Sequence, residues 1–171
     1  MSFQTPLTIN EVISKIHSKK YLLPSIQREF VWDTNQIMML FDSLMRDYPI
    51  NAFLFWEVGK ENLNEFMFYE FLRDYHQVKN FHNEKADLKG NESIIAVLDG
   101  QQRLTSLYIG LKGSYAYKLS YRRWDNPNAY PVRKLYLNLL QPSEDSEWEY
   151  EFNFLTETEA RGNDSTHFWF M

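Results

Sequence analysis

Ile94-Ile95-Ala96-Val97-Leu98-Asp99-Gly100-Gln101-Gln102-Arg103-Leu104-Thr105-Ser106-Leu107-Tyr108 changes its hydrophobic period half-way, and that change decides the fold class. Residues 94–98 are continuously apolar, the pattern of a buried strand, whereas Leu104, Leu107, Tyr108 and Leu111 recur at the spacing of one helical face. A strand therefore passes directly into a helix. Gly100 relieves steric restriction at the junction, and Asp99 is placed to cap the helix. The first amides of such a helix have no internal acceptors, so this end suits an anion. Arg103 adds a planar cation able to grip two phosphate oxygens, and Gln101 and Gln102 bring donors and acceptors beside it. No Gly-Lys-Ser/Thr follows, so the stretch is not a Walker loop. The plainer alternative is a capped turn with a surface arginine, but the polar groups are denser than capping requires.

Working outward, Thr8-Ile9-Asn10-Glu11 has the form of a capping box ahead of Val12, Ile13 and Ile16, which predicts a short helix. Tyr21-Leu22-Leu23 reads as a strand ended by Pro24, followed by an extended segment over 25–32. Asp33-Thr34-Asn35-Gln36 repeats the capping logic before the stripe Ile37, Leu40, Phe41, Leu44 and Met45, which Tyr48-Pro49 stops. Residues 52–58 read as a buried strand, and 59–93 as an elaboration whose apolar positions from Leu63 to Tyr75 suggest a helical insertion followed by a loose loop. Gly110 and Gly113 are expected to end the central helix, with strands at 114–120, 134–139 and 150–155 beyond it. The last run, His167-Phe168-Trp169-Phe170, favours a chain truncated from a longer one over a terminal strand docked on its own sheet. The expected fold is α+β, a mixed sheet with packed helices in one domain over 1–171, with the helical insertion at 59–93.

Composition bounds the rest. The 171 residues, 44% hydrophobic and 17% aromatic, suffice for one substantial core. Cysteine is absent, which removes disulfides, thiol catalysis and cysteine-ligated metals and fits a cytoplasmic protein. No apolar run reaches the length of a membrane span, so no membrane partner is expected. The net charge of −5 is uneven: residues 141–171 carry eight acids and one base, leaving 17 basic and 15 acidic residues in the first 140. Lys19-Lys20, Arg122-Arg123 and Arg133-Lys134 are local basic pairs, read as solvated loop charges with phosphate contact as the lesser alternative. His17, His76, His82 and His167 are scattered without zinc spacing and near no motif.

Gln27-Arg28 sits in the extended segment before Trp32 and alone is a surface pair. Taken with Asp99-Gly100-Gln101-Gln102-Arg103, it suggests two Gln-Arg pairs beside helix starts converging on one anionic ligand, with Trp32 to stack on a base.

Pro24-Ser25-Ile26-Gln27-Arg28-Glu29-Phe30-Val31-Trp32, Leu40-Phe41-Asp42-Ser43-Leu44-Met45-Arg46-Asp47-Tyr48-Pro49-Ile50, Phe55-Trp56 and Leu98-Asp99-Gly100-Gln101-Gln102-Arg103-Leu104-Thr105, in this order, resemble the N-terminal domain of GmrSD-type restriction endonucleases. Leu135-Tyr136-Leu137-Asn138-Leu139-Leu140 and the final His167-Phe168-Trp169-Phe170 extend the resemblance over nearly the whole chain. It implies a ParB/sulfiredoxin-like fold, nucleotide binding and hydrolysis at a DGQQR motif, and a role in phage defence against modified DNA. Asp99, Gly100, Gln101, Gln102 and Arg103 match the DGQQR motif, and Gln27 and Arg28 match the upstream Gln-Arg motif. By this resemblance Asp99, Gln101, Gln102 and Arg103 are the expected catalytic set, and Gln27, Arg28, Gly100 and Arg103 hold a nucleoside triphosphate. Asp99 would take a magnesium ion, and Asp42-Ser43 is a further candidate wall of the pocket. Nothing matches the family's His-Asn-His nuclease chemistry, so a nuclease domain is expected downstream or as a separate partner. The alternatives are a non-catalytic module binding modified DNA, and a ParB-like metal-dependent nuclease using Asp99.

Overall fold

In the computed structural model, which describes residues 5–26 and 28–171, the apolar run becomes β5 (Ser93–Asp99), an inner strand of a four-stranded sheet. β1 (Tyr21–Pro24) lies parallel to it, with Tyr21 beside Ile95, and β2 (Leu54–Gly59) antiparallel, with Trp56 beside Ala96. β3 (Phe68–Tyr69) completes the sheet against β1. Both faces of β5 are covered: Ile95 and Val97 join the main core, while Ile94 and Ala96 join a smaller cluster with Leu22, Val58, Leu63 and Phe68. Double burial is why this strand reads as an unbroken apolar run rather than an alternating one.

α1 (Ile9–His17) and α2 (Thr34–Met45) begin at the capping boxes expected from Thr8 with Glu11 and Asp33 with Gln36. α3 (Gln101–Lys112) follows β5 and is buried on most of its circumference, as a helix at the centre of a core must be. Gly110 lies inside α3 rather than at its end. A Cβ there would meet the Phe41 ring of α2 at 2.6 Å, so the glycine serves the α2–α3 crossing and only Gly113 caps the helix.

A second sheet runs β4 (Asp74–His76), β6 (Ser114–Ala116), β7 (Val132–Pro142), β8 (Tyr150–Leu155), with β4 parallel to β6 and the other pairs antiparallel. Tyr115, Leu135, Phe152 and Phe154 bring this sheet into the main core, with Phe41 and Phe152 centroids 5.7 Å apart. Helix, strand and mixed pairing together make the fold α+β. α4 (Glu157–Ala160), a single turn with its own Thr156–Glu159 capping box, adds an element beyond those the sequence predicts.

The structure departs from the sequence expectations at two further places, the 59–93 segment and Arg133. Residues 59–93 contain no helix among the described residues: turns lead to β3 and β4. Their apolar side chains serve two different cores, Leu63 and Phe68 in the smaller cluster and Phe71 and Leu72 in the main one, so no single helical face exists. β9 (Trp169–Phe170) pairs with β7, Leu137 opposite Phe170, so these two residues have a strand partner within the second sheet. Buried Asn138 holds it there, donating to Thr166 O at 3.0 Å and accepting from Phe168 N at 3.1 Å. Finally, Arg133 is not a solvated loop charge. It is buried, donates to Pro131 O and stands 4.3 Å from the Tyr117 ring centroid.

Candidate functional site

The β5–α3 junction turns at Gly100, whose φ of +86° favours glycine and whose Cβ, if present, would strike the Phe53 ring at 2.3 Å. Gly100 is itself the N-cap, and no side chain caps the helix. Asp99 therefore does not play the capping role expected of it: the left-handed residue intervenes, and the Asp99 carboxylate stands largely exposed, 3.6 Å from Arg103 Nη2. The first bond within the helix is Leu104 N to Gly100 O at 2.9 Å, which leaves the Gln101, Gln102 and Arg103 amides ahead of the helical ladder.

The three side chains that follow are employed differently. Gln102 is clamped at both ends of its amide, donating to Glu29 O at 2.9 Å and accepting from Val31 N at 3.1 Å, and so fastens the 29–31 segment to α3. Gln101 donates to Arg28 O at 3.3 Å, while its Oε1 is buried without a hydrogen-bond partner among the described residues. Arg103 folds back against residues 50–53, donating to Ile50 O and to Ala52 O (3.0 Å), with its guanidinium carbon 4.6 Å from the Phe53 ring centroid.

A cleft of about 470 Å³ opens over this helix end, lined by Ile26, Arg28, Trp32, Asp99, Gly100, Gln101, Gln102 and Arg103. The structure thus brings Arg28 and Trp32 to the DGQQR residues; Gln27 lies outside the described residues. Arg28 is exposed and forms no ion pair with another described residue. Trp32 is half-buried, and its carbonyl accepts from Tyr115 Oη at 3.1 Å. Burial pushes the Tyr115 phenol far above its ordinary range, so it remains a neutral donor. A second cavity of about 320 Å³ shares Arg28 and Gln101 with the cleft and adds Glu29, Tyr69, His82 and Asn83. His82, which the sequence places near no motif, contacts Glu29 through Nδ1 and so borders the site.

Asp42 does not line the cleft. It is buried as a structural acceptor for Glu149 N (3.0 Å) and Tyr150 N (2.9 Å) and pairs with Arg46 at 3.2 Å, fastening α2 to the start of β8.

A sequence model of the GmrSD restriction endonuclease N-terminal domain matches residues 9–168, both Gln-Arg pairs included. The chain belongs to this family. An uncharacterized protein of Methanocaldococcus jannaschii is 31% identical over 101 residues, 59% of this chain and 16% of that protein, so the match covers about a sixth of the relative's length. As a GmrSD N-terminal domain, the chain is a restriction-system related domain. Among the described residues no helix is long and apolar enough to cross a membrane, and no group of three or more His, Asp, Glu or Cys is placed to hold a metal. The contributions that sequence reasoning missed are the carbonyls of Ile50 and Ala52, the Phe53 ring and the His82–Glu29 pair. Each acts from a distant stretch of chain, and only folding reveals the contact.

Proposed function

We propose that this GmrSD N-terminal domain binds and hydrolyses a nucleoside triphosphate in the α3 cleft, as the sensor of a modification-dependent anti-phage restriction system whose hydrolysis gates a nuclease domain. The observation that carries the reading is the convergence on one cleft of a helix start without a side-chain cap, the Arg28 cation, the Trp32 ring and Gln101, whose buried Oε1 has no hydrogen-bond partner among the described residues. The free amides and Arg28 take phosphate oxygens, and Trp32 offers a face for the base. Gln101, whose Oε1 has no hydrogen-bond partner among the described residues, is assigned to orient the attacking water; Gln102, whose amide is consumed at both ends, is a positioning residue. Arg103 is chiefly a positioning residue too, since its guanidinium is spent on the 50–53 segment. Asp99, exposed at the rim, is the carboxylate that would hold a magnesium ion, a metal that needs only one or two protein carboxylates beside the substrate's own oxygens and neutralises phosphate charge.

The test is titration of the purified chain with nucleoside triphosphates and with modified and unmodified DNA, with and without magnesium, while following phosphate release. Nucleotide binding with magnesium-dependent phosphate release supports the reading. Salt-sensitive DNA binding without any nucleotide binding would make the cleft a DNA-binding site instead. Magnesium-dependent DNA cleavage without nucleotide would make it a ParB-like nuclease.

A further inference from the structure

The loop between β6 and β7 carries side chains that neither the core nor the α3 cleft uses. Tyr121 is fully exposed, and its backbone sits at φ +60°, a left-handed conformation that strains a non-glycine residue. Trp124, three residues on, is 63% exposed. Despite this exposure the loop is tied from within. Lys118 Nζ donates to Leu119 O (3.1 Å) and Arg122 O (3.0 Å) and stands 5.1 Å from the Trp124 ring centroid, while Tyr130 Oη donates to Trp124 O at 3.0 Å. These ties occupy backbone acceptors and leave the aromatic rings and the arginines at the surface. Arg122 forms no ion pair among the described residues, and Arg123 has only the exposed Asp125 at 3.1 Å.

The charge pattern selects the partner. Residues 114–124 contain three Lys or Arg and no Asp or Glu, in a chain of net charge −5. Exposed Tyr, Trp and Arg also suit a protein interface, but an acid-free run with interleaved aromatics fits a polyanion with stackable rings. We infer that the Tyr121-Arg122-Arg123-Trp124 loop is a DNA-contacting element: Arg122 and Arg123 take backbone phosphates, Arg123 exchanging Asp125 for them, and Tyr121 and Trp124 stack on unpaired or splayed bases. None of these residues lines the α3 cleft, so the inference stands or falls separately from the nucleotide reading.

The experiment is fluorescence anisotropy of the full chain with a labelled DNA duplex bearing a single-stranded arm, over a salt series. The double variant Arg122→Ala with Arg123→Ala is expected to bind at least tenfold more weakly and to lose about 1.4 to 1.8 from the slope of log affinity against log salt, the equivalent of two phosphate contacts. Tyr121→Gly removes the ring and relaxes the backbone, so it should keep or raise the melting temperature while weakening binding to the arm about tenfold; Tyr121→Phe should bind like the unaltered chain. Triphosphate binding, measured on the same samples, should be unchanged in all variants. Failure of the unaltered chain to bind DNA, or unchanged affinity and slope in the double variant, would overturn the inference and leave the loop to a protein partner. A joint loss of melting temperature and triphosphate affinity would also overturn it, because the loop would then be structural.

Discussion

At the start of α3 two adjacent glutamines differ in what their amide oxygens meet: Gln102 Oε1 takes the Val31 N–H, whereas Gln101 Oε1 is buried and unpartnered among the described residues. Gln102→Ala should therefore lower stability by about 1–3 kcal/mol, since it removes two hydrogen bonds that fasten the 29–31 segment to α3. Gln101→Ala should change a urea melt little and abolish most phosphate release. A Gln101→Ala protein with full turnover would remove that residue from the mechanism. Gly100→Ala combines a forbidding φ with a Cβ driven into Phe53, and should cost about 2 kcal/mol or more in the same melt. The sequence marks all of these positions as unusual, because Asp-Gly-Gln-Gln-Arg is more polar than a turn needs. It does not divide their labour. That division is made by Glu29, Val31, Ile50 and Ala52, whose backbone groups lie about 50 to 70 residues away along the chain.

The elements that were legible are those whose signal is local. Capping boxes at Thr8 and Asp33, the apolar run of β5 and the helical period of α3 all depend on neighbours within a few residues. The 59–93 segment mimics a helical face because its apolar residues divide between two cores, a fact with no local trace. The final strand, β9, is likewise a tertiary matter, resting on Asn138 and on a turn built by Asp164. Asn138→Ala should release β9, read as faster hydrogen exchange at Trp169 and Phe170 with the core amides still protected. The Asp164 carboxylate accepts from the Thr166 hydroxyl, the Thr166 N–H and His167, which together hold it far below the ordinary carboxylate range. A depressed folded-state pKa contributes stability that is full above the unfolded value and is lost as protons bind. The β9 end should thus loosen progressively as pH falls below about 4, seen as a change in Trp169 fluorescence before the core melts. Retention of the docked end down to pH values that unfold the core would contradict this.

Across the whole molecule, one main core is shared by helices and both sheets, and the cleft lies where the 28–32 segment crosses the helix start rising from β5. Buried Asp42, which ties α2 to the head of β8, belongs to that framework, and Asp42→Ala should cost about 3 kcal/mol of global stability without altering the cleft. Arg103→Ala is a poor probe of ligand binding for a similar reason, since it also frees the 50–53 segment. Arg28 is the cleaner one, an exposed cation on the cleft wall with no ion pair among the described residues. The decisive measurement is calorimetric titration of the unaltered chain and of Arg28→Ala with a nucleoside triphosphate in magnesium. The unaltered chain should bind, and Arg28→Ala should bind at least tenfold more weakly with an unchanged melting temperature, a charge-assisted contact being worth about 1.5–3 kcal/mol. Triphosphate binding of equal strength in both proteins, or in neither, would contradict the assignment of this cleft.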